Sequence, residues 1–416
     1  MLGVRGVEII DEVVDGPSAL RCVACGSNYP SSPSLFTCPR CGGLLEPVYS
    51  SGGTPRGRGV WRYRDLLPRA RRIVTMGEGS TPLVKLENLS RMLGVEVYGK
   101  LEFLNPTGSF KDRGMTVGVS VAASFGYRIV AAASTGNTAA SMAAYARRAG
   151  VEPVILIPKG GIASGKLSQI QALGAWILEV EGTFDDSLEA ARTAAVKGLA
   201  YSLNSINPYR LEGQKTIAFE ILEDLDSVDY VVVPVGNAGN ISAIWKGFKE
   251  ASLLGLPSIK PRMVGVQAEG ASPLYKAWAS RSGAVERVRN PSTIASAIRI
   301  GNPVNAAKAL RAVEESGGLM ASVSDGEILK SLRILAEHEG MLVEPASATS
   351  LAGLIRLRSE GVIRDGRRVV LILTGHGLKD PKALEFIAKG AGFRRTSANT
   401  TEEALLKLEE IAAHSV

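Results

Sequence analysis

Residues 105–113 (NPTGSFKDR) have the composition of a turn that presents a nucleophile. Gly108 permits a sharp turn, and Lys111 then falls at the start of a helix that we predict through residues 114–123. The positive end of a helix dipole favours the neutral form of an amine, which is its nucleophilic form. We therefore predict that Lys111 can form a Schiff base with a carbonyl compound. The alternative is an ordinary surface lysine.

A second turn, residues 234–240 (PVGNAGN), lies between an apolar segment and a predicted helix that starts at residue 241. Gly236 and Gly239 allow main-chain N–H groups to converge, and Asn237 and Asn240 tolerate left-handed backbone. Such a loop at a helix N-terminus favours a phosphate group. The spacing is not that of the dinucleotide pattern, and no acidic residue follows about twenty residues later to bind a ribose.

A third turn, residues 133–141 (ASTGNTAAS), also follows an apolar segment. It places Ser134, Thr135, Asn137 and Thr138 at the start of a predicted helix. Hydroxyl groups and main-chain N–H groups in that position suit a carboxylate. The alternative is a helix cap without a ligand.

A fourth turn, residues 373–380 (LTGHGLKD), follows the last apolar segment of the chain. Thr374 would present a hydroxyl there, and His376 an imidazole. A helix cap is again the alternative. A lysine nucleophile, a phosphate loop, a carboxylate cap and a strand-end hydroxyl on one α/β sheet together imply pyridoxal phosphate.

The cysteines form a separate unit. Cys22, Cys25, Cys38 and Cys41 follow a C-x2-C, twelve-residue, C-x2-C spacing, and glycine follows each pair. Four thiolates in this pattern suit a tetrahedral structural zinc and leave no open position for catalysis. The alternatives are two disulfides, or a ribbon that has lost its metal. Disulfides are disfavoured in a chain without a secretory signal.

Zinc ribbons often bind nucleic acid, so this function has to be considered. The ribbon itself carries few basic residues, whereas residues 56–72 hold seven arginines interleaved with Trp61 and Tyr63. We favour a linker that leads into a short helix, with arginines in solvent or paired with the larger domain, over a nucleic-acid interface.

Short apolar segments rich in Val and Ile recur after residue 75 and alternate with helical patterns. Segments of this kind indicate strands that are buried on both faces, as in a parallel sheet covered by helices. They cover residues 128–134, 151–158, 175–180, 228–235, 263–268 and 369–374. We predict a doubly wound α/β fold, with ligands at the carboxyl ends of the strands. The tail from Thr400 has a capping box with Glu403 and predicts a terminal helix that packs on the body or on a partner subunit.

Length, composition and charge limit the number of domains and the class of protein. A length of 416 residues suggests two or three domains, and 45% hydrophobic with 21% charged residues is typical of a globular chain. The formal charge of +7 suits anionic small molecules as well as nucleic acid. Three histidines disfavour a histidine-rich metal enzyme. Neither a signal peptide nor a membrane span is expected, which predicts a cytoplasmic protein.

These motifs together resemble the threonine synthases, which belong to the fold-type-II pyridoxal phosphate enzymes (the tryptophan synthase β family). The resemblance covers most of the chain and includes GEGSTPLV at 77–84, SAIRIGNPVN at 296–305 and EPASA at 344–348. The lysine turn is shared widely in the superfamily, whereas GNAGN, AIRIGNP and TGHGLKD are narrower. The family implies two domains with mostly parallel sheets behind the zinc ribbon, and a homodimer.

The resemblance assigns roles to individual residues. Lys111 is the Schiff-base lysine and proton shuttle, and Thr374 is the hydroxyl partner of the pyridine nitrogen. The cofactor residues are Lys111, Asn137, Gly236, Asn237, Ala238, Gly239, Asn240 and Thr374. The substrate carboxylate is expected at Ser134, Thr135 and Thr138, and the substrate phosphate at Asn204, Ser205 and Arg210.

The implied reaction converts O-phospho-L-homoserine and water into L-threonine and phosphate, with closure of a small domain over the site. We expect a ribbon at 1–55, a large domain at 56–106 and 203–398, a small domain at 107–202 and a terminal helix at 399–416. No activation by S-adenosylmethionine is expected, because the cysteines fill the region that plant relatives use for it.

Three alternatives stay open. Two are related enzymes: a threonine or serine dehydratase, or a synthase that replaces the phosphate of phosphoserine with sulfite or sulfide. The dehydratases and cysteine synthases usually carry a more glycine-rich phosphate loop, whereas a phosphoserine enzyme would share the cofactor residues. The third is a ribbon-type binding protein with an inactive enzyme body, which the intact Lys111 disfavours.

Overall fold

The computed structural model describes residues 8–9, 16–160, 164–390 and 396–413. In chain order, its strands are β1 (Glu8–Ile9), β2 (Ala19–Cys22), β3 (Asn28–Tyr29), β4 (Leu45–Val48), β5 (Arg72–Ile73), β6 (Leu83–Lys85), β7 (Glu96–Lys100), β8 (Ile129–Ala133), β9 (Glu152–Pro158), β10 (Trp176–Val180), β11 (Tyr201–Ser202), β12 (Tyr230–Pro234), β13 (Arg262–Ala268), β14 (Leu319–Val323) and β15 (Arg368–Ile372). Its α-helices are α1 (Glu87–Leu93), α2 (Lys111–Ser124), α3 (Asn137–Ala149), α4 (Ser164–Ala172), α5 (Phe184–Val196), α6 (Pro208–Asp224), α7 (Gly239–Glu250), α8 (Pro273–Ala279), α9 (Ala306–Glu315), α10 (Asp325–Glu339), α11 (Pro345–Ser359), α12 (Pro381–Gly390) and α13 (Thr401–Ala413).

The larger sheet has six strands in the order β14-β13-β12-β15-β7-β6. All neighbours run parallel except β6, which is antiparallel to β7. Every residue of β12 is buried, because apolar side chains from the flanking helices pack on both faces of the sheet. The predicted doubly wound, mostly parallel architecture is confirmed.

The smaller sheet has four parallel strands in the order β10-β9-β8-β11. The strands β8 and β9 are largely buried between α3 and α5, as the continuous apolar segments predicted. The prediction of burial on both faces is wrong for β10, where Trp176 and Leu178 are exposed. This strand lies at the edge of the sheet and pairs only with β9 among the described strands, so one side lacks a neighbouring strand.

The helix α2 connects the two sheets, since it follows the lysine turn and packs against both α3 and α6. It is buried from Asp112 to Ala122. A Cβ atom on Gly114 would lie 2.8 Å from the carbonyl oxygen of Arg210, so glycine permits the close approach of α2 and α6. The position of α2 therefore depends directly on the first turn of α6.

The N-terminal ribbon is an antiparallel sheet in the order β3-β2-β4. The segment that follows contains a 3-10 helix at Val60–Leu66, in which Trp61 and Tyr63 are buried. The Nε1 of Trp61 donates to Thr116 Oγ1 at 2.7 Å, and Arg62 forms an ion pair with Glu223 of α6. The predicted short helix is present, and its aromatic side chains face the protein interior.

The C-terminal helix α13 begins where the sequence predicted. The N–H of Glu403 donates to Thr400 Oγ1 at 3.1 Å, and the Glu403 carboxylate accepts from the N–H of Asn399. Of the two expected packing surfaces, the body of the protein buries no residue of α13 in the described structure, and packing on a partner subunit stays a prediction. Residues 414–416, the predicted end of this helix, lie outside the described residues.

Among the helices that the structure describes, none is long and apolar enough to cross a membrane.

Candidate active site

The lysine turn and the turn after β15 are joined through their main chains. The N–H of Phe110 donates to the carbonyl oxygen of Thr374, and the N–H of His376 donates to that of Gly108, each at 3.0 Å. Lys111 is the first residue of α2, and its Nζ lies 4.2 Å from the centre of the Phe110 ring. The structure thus places the predicted nucleophile beside the predicted Thr374 turn.

A buried carboxylate organises the lysine turn from inside. Asp112 accepts hydrogen bonds from the N–H and the hydroxyl of Thr107, both at 2.6 Å, and from the hydroxyl of Ser141. Burial raises the pKa of Asp112 to about 6, although these three donors act to lower it. No role for Asp112 is evident from the sequence, because its partner Ser141 is distant in the chain and lies on α3.

Arg113, the residue after Asp112, belongs to a buried network of ion pairs. The guanidinium of Arg113 bonds Glu102 and Glu220 with N–O distances of 2.6–2.7 Å. Lys100 also pairs with Glu220 at 2.7 Å. Burial would raise the pKa of Glu220, but the adjacent Arg113 and Lys100 hold it at about 2. This network ties the start of α2 to β7 and α6.

Asn137 is the first residue of α3 and is almost fully buried. Its Nδ2 lies 2.8 and 3.0 Å from the two carboxylate oxygens of Glu344, which fixes the orientation of the amide. Its Oδ1 has no hydrogen-bond partner within the described structure. The N–H of Glu344 donates to the carbonyl oxygen of Gly375, so Asn137 is also connected to the Thr374 turn.

The close packing of this turn depends on a glycine. A Cβ atom on Gly375 would lie 2.4 Å from Glu344 Oε1, so any side chain at this position would displace the Glu344 carboxylate. The N–H of Gly375 donates to Ser347 Oγ at 2.7 Å, and the same hydroxyl lies 3.0 Å from Thr374 Oγ1. Ser347, at the start of α11, therefore fixes the Thr374 hydroxyl.

The loop at residues 236–240, which the sequence predicts to bind a phosphate, leads directly into α7. Ala238 has a φ of 64°, a left-handed conformation that side chains disfavour, and α7 begins at Gly239. Both amide atoms of Asn240 are buried without a hydrogen-bond partner among the described residues. The N–H of Asn305 donates to the carbonyl oxygen of Asn237 at 3.1 Å. Main-chain N–H groups at a helix N-terminus beside unsatisfied amides fit a phosphate.

The predicted carboxylate cap lies between β8 and α3. Ser134, Thr135 and Thr138 are half-buried, and Ser134 Oγ accepts from the N–H of Gly136 at 3.2 Å. Asn204 bonds the main chain at the end of β8 twice, at 3.1 Å to the N–H and 3.0 Å to the carbonyl oxygen of Ala133. The expected carboxylate and substrate-phosphate segments are therefore neighbours.

Arg210 is the clearest signal of an anion site. Asn207 caps α6 by accepting from the N–H of Arg210, and the Arg210 side chain is fully buried. Its Nη1 lies 3.3 Å from Ser205 Oγ, while Nε and Nη2 have no partner in the described structure. Burial lowers the pKa of Arg210 to about 10. A buried guanidinium with two donors unsatisfied fits an anionic ligand.

Hydrogen bonds join the remaining segments. Asn305 Nδ2 donates to the carbonyl oxygen of Ser205 at 3.0 Å, which links the Arg210 segment to the phosphate loop. All four predicted turns and the Arg210 segment thus lie in one connected region. Asn305 belongs to the AIRIGNPVN motif, but its position at the N-terminal end of α9 was not evident from the sequence.

The four cysteine sulfur atoms form a second candidate site. They lie within 4.8 Å of one another and form no disulfide. Cys22 and Cys41 sulfurs are 3.5 Å apart, and Cys25 and Cys38 sulfurs 3.7 Å apart. Zn–S bonds of about 2.3 Å in a tetrahedron require sulfur separations of about 3.8 Å. The donor set and the spacing therefore fit a zinc ion.

A profile of the family described as "Pyridoxal-phosphate dependent enzyme" matches residues 74–375. The threonine synthase of Methanocaldococcus jannaschii is 52% identical over 378 residues, which cover 87% of this chain and 93% of that protein. The threonine synthase of Methanosarcina acetivorans is 50% identical over 376 residues, 88% of this chain and 93% of that protein.

A solved structure gives the same fold. Processed threonine deaminase isoform 2 from Solanum lycopersicum superposes with a TM-score of 0.63 over 75% of this chain and 84% of that chain, at 24% identity. At this identity the similarity concerns the fold.

Proposed function

The chain belongs to the pyridoxal-phosphate-dependent enzyme family, and we propose that it acts as a threonine synthase that converts O-phospho-L-homoserine and water into L-threonine and phosphate. The observation that carries the proposal is the presence of two anion sites in one connected region. The loop before α7 suits the phosphate of the cofactor, and the buried Arg210 suits a second phosphate, on the substrate. The identity of half the residues with two threonine synthases supports the same reaction.

The residues present fit pyridoxal phosphate. Lys111 would hold it covalently, Asn137 would bond its phenolic oxygen, and Thr374 would face its pyridine nitrogen. Its phosphate would lie against residues 236–240, where the amide of Asn240 lacks a partner in the described structure. When bound, the cofactor supplies an electron sink that stabilises negative charge at the substrate carbons.

Lys111 is then the residue that moves protons. Once the substrate amine has displaced it, its amine would take the α-proton and afterwards transfer protons at the β-carbon. Its place in the first turn of α2 favours the neutral amine needed for this step. Thr374, a hydroxyl rather than a carboxylate, would not hold the pyridine nitrogen in its protonated form.

The substrate would be held at both ends. The hydroxyl and N–H groups around Ser134, Thr135 and Thr138 suit its carboxylate, as the start of α3 provides N–H groups without helical partners. Arg210, with Asn204 and Ser205, would bind the phosphate that leaves from the γ-carbon, and a guanidinium suits this role because it binds phosphate oxygens bidentately. The water that adds at the β-carbon must be held in a defined position.

Domain closure would supply that control of water. We propose that residues 107–202 form a small mobile domain that closes on a large domain of residues 56–106 and 203–398. The separate four-stranded and six-stranded sheets support this division. We also propose a cytoplasmic homodimer. The four free cysteines suit a reducing compartment.

For the ribbon we propose a structural zinc on Cys22, Cys25, Cys38 and Cys41. The positive φ of Gly26 and Gly42 and the 3.5 Å contact from the N–H of Cys25 to Cys22 Sγ support it, because such turns direct main-chain donors at thiolates. Metal analysis of the purified protein should find one zinc per chain, and a double Cys22→Ser, Cys25→Ser variant should have none.

The deciding experiment is an incubation of purified protein, loaded with pyridoxal phosphate, with O-phospho-L-homoserine. Threonine and phosphate released in equal amounts would support the proposal. Phosphate together with 2-oxobutanoate would mean that water is not placed at the β-carbon. The protein could instead turn over phosphoserine with sulfite or sulfide and leave O-phospho-L-homoserine unchanged. That result would refute the proposed reaction in favour of a synthase that replaces the phosphate of phosphoserine.

A further inference from the structure

Three helices present their N-terminal ends to the two proposed anion sites, and the N-terminal ribbon contacts all three. The helix α6 begins two residues before Arg210, α7 begins within the phosphate loop, and α9 follows Asn305. These contacts involve three segments of the ribbon, at Val23, at residues 31–32 and at residues 46–49. Together they suit a ribbon that holds the N-terminal ends of these helices in position.

The contact with α6 lies directly beside Arg210. The hydroxyl of Tyr209 donates to the carbonyl oxygen of Ser32 at 2.8 Å and lies 3.0 Å from Ser31 Oγ. Tyr209 is buried and packs in the same apolar cluster as Cys22 and Cys38. The position of the residue before Arg210 therefore depends on a loop of the ribbon that lies between its two cysteine pairs.

The contact with α7 is charged and buried. Lys246 Nζ donates to the carbonyl oxygen of Pro47 at 2.7 Å and bonds Glu212 Oε1 at 2.6 Å. Lys215 of α6 lies 3.9 Å from the centre of the Tyr49 ring and bonds Glu212 at 2.6 Å. The end of β4 and the residue after it thus join α6 to α7, the two helices that carry Arg210 and the phosphate loop.

The contact with α9 uses two basic residues. Lys308 Nζ lies 3.4 Å from Glu46 Oε1, and Arg311 Nη2 donates to the carbonyl oxygen of Val23 at 2.6 Å. Burial would raise the pKa of Glu46, but Lys308 and other lysines hold it at about 2. Val23 lies between Cys22 and Cys25, so a residue inside the first cysteine pair is fixed by the helix that follows Asn305.

We propose that the ribbon positions the anion-binding ends of α6, α7 and α9, so that metal binding by its cysteines and phosphate binding at Arg210 strengthen each other. Tyr209 is the positioning residue nearest to Arg210. The proposal rests on the phosphate site and the zinc proposed above. Thermodynamic linkage requires the effect to be mutual: if the metal favours phosphate binding, phosphate must favour metal binding by the same factor.

The linkage can be measured without turnover. The protein is loaded with zinc and pyridoxal phosphate, so that the loop before α7 is filled, and mixed with an excess of a coloured zinc chelator. Apparent zinc affinity is then measured with and without saturating inorganic phosphate. We expect phosphate to raise zinc affinity by about fivefold or more in the natural sequence, because couplings between sites are commonly of this size.

Three variants complete the test. Arg210→Gln should remove the effect of phosphate on zinc affinity. Tyr209→Phe, which deletes only the hydroxyl that reaches the ribbon, should reduce the effect, whereas Tyr275→Phe on α8 should leave it unchanged. Tyr209→Phe should also raise the KM for O-phospho-L-homoserine more than it lowers kcat. A purely structural tyrosine would change stability without changing the linkage.

The outcomes separate this inference from the proposed function. Phosphate binding is checked independently by thermal unfolding of the natural sequence and Arg210→Gln. If phosphate raises the unfolding temperature through Arg210 but leaves zinc affinity unchanged, the linkage is wrong and the proposed function stands. If phosphate has no effect on unfolding, both the linkage and the assignment of Arg210 are wrong, and only the product assay decides on the reaction.

Discussion

The main-chain N–H of Phe110 donates a hydrogen bond of 3.0 Å to the carbonyl oxygen of Thr374. The proposed nucleophile Lys111 and the hydroxyl proposed to face the pyridine nitrogen are therefore placed relative to each other by the backbone. Substitution of either side chain removes one chemical group and leaves this backbone pairing intact. Variants of the two residues can accordingly be interpreted as tests of chemistry rather than of folding.

Replacement of Lys111 by Ala should remove the covalent attachment of the cofactor. After reduction with borohydride, intact-mass measurement should find pyridoxal phosphate bound to the natural sequence and none on Lys111→Ala. The exposed Lys382 gives a matched control, since Lys382→Ala should retain the attached cofactor. Attachment and turnover by Lys111→Ala would refute the assignment.

Replacement of Arg210 by Met should stabilise the cofactor-free protein while it impairs substrate binding. The guanidinium is fully buried with two donors unsatisfied in the described structure, and removing such a charge should raise the free energy of unfolding by about 1–3 kcal/mol. Denaturant unfolding without phosphate measures this gain. A less stable Arg210→Met protein would mean that the guanidinium has a compensating partner.

The stability of the cofactor-free protein should depend on pH through Asp112. Its pKa is raised from 3.8 to about 6, so the folded state binds this proton more tightly than the unfolded state. The resulting stabilisation is complete below pH 3.8 and is lost as the pH rises through 6. Between pH 4 and 7, the natural sequence should lose about 2 kcal/mol relative to Asp112→Asn. Parallel curves of unfolding free energy against pH for the two proteins would contradict this.

Replacement of Glu102 by Gln should be costly, because it leaves the buried Arg113 short of negative charge. Both side chains are fully buried, and loss of one partner of such a pair costs about 3–5 kcal/mol. The pair of Glu96 and Arg368 on the surface is the control, and Glu96→Gln should cost about 1 kcal/mol or less. Equal losses in denaturant unfolding would show that burial does not decide the strength of these pairs.

The candidate site residues could be predicted from the sequence where a proposed role depends on the conformation of the main chain in a turn. Gly108, the loop at 236–240 and the cysteine pairs could be recognised because their backbone conformations restrict which residues are tolerated. The pairing of Asn137 with Glu344 could not be predicted, because it joins segments that are distant in the chain and only the fold brings them together.

The same limit explains one incorrect prediction and one that stays open. An apolar segment at 175–180 resembles an interior strand, and only the strand order shows that β10 is at the edge. The apolar positions of α13 predicted packing on the body or on a partner subunit, and Leu405 and Leu408, which are 57% and 61% exposed, are not covered by the body. Periodicity identifies which face of an element is apolar, but it does not identify the surface that covers it.

The order of strands in the large sheet also has a consequence for synthesis of the chain. The strand β15 lies between β7 and β12, and each of its residues from Arg368 to Ile372 pairs with β7. During translation, β7 emerges long before β15, by an interval on the order of tens of seconds at ordinary rates of synthesis. Until β15 is made, β7 and the later strand β12 each present an unpaired edge, which is the kind of surface that promotes aggregation. A chain that ends before residue 368 lacks β15, so its large sheet is divided into two separate parts. We therefore expect nascent chains of this protein to depend on protection by chaperones until the last strand is made.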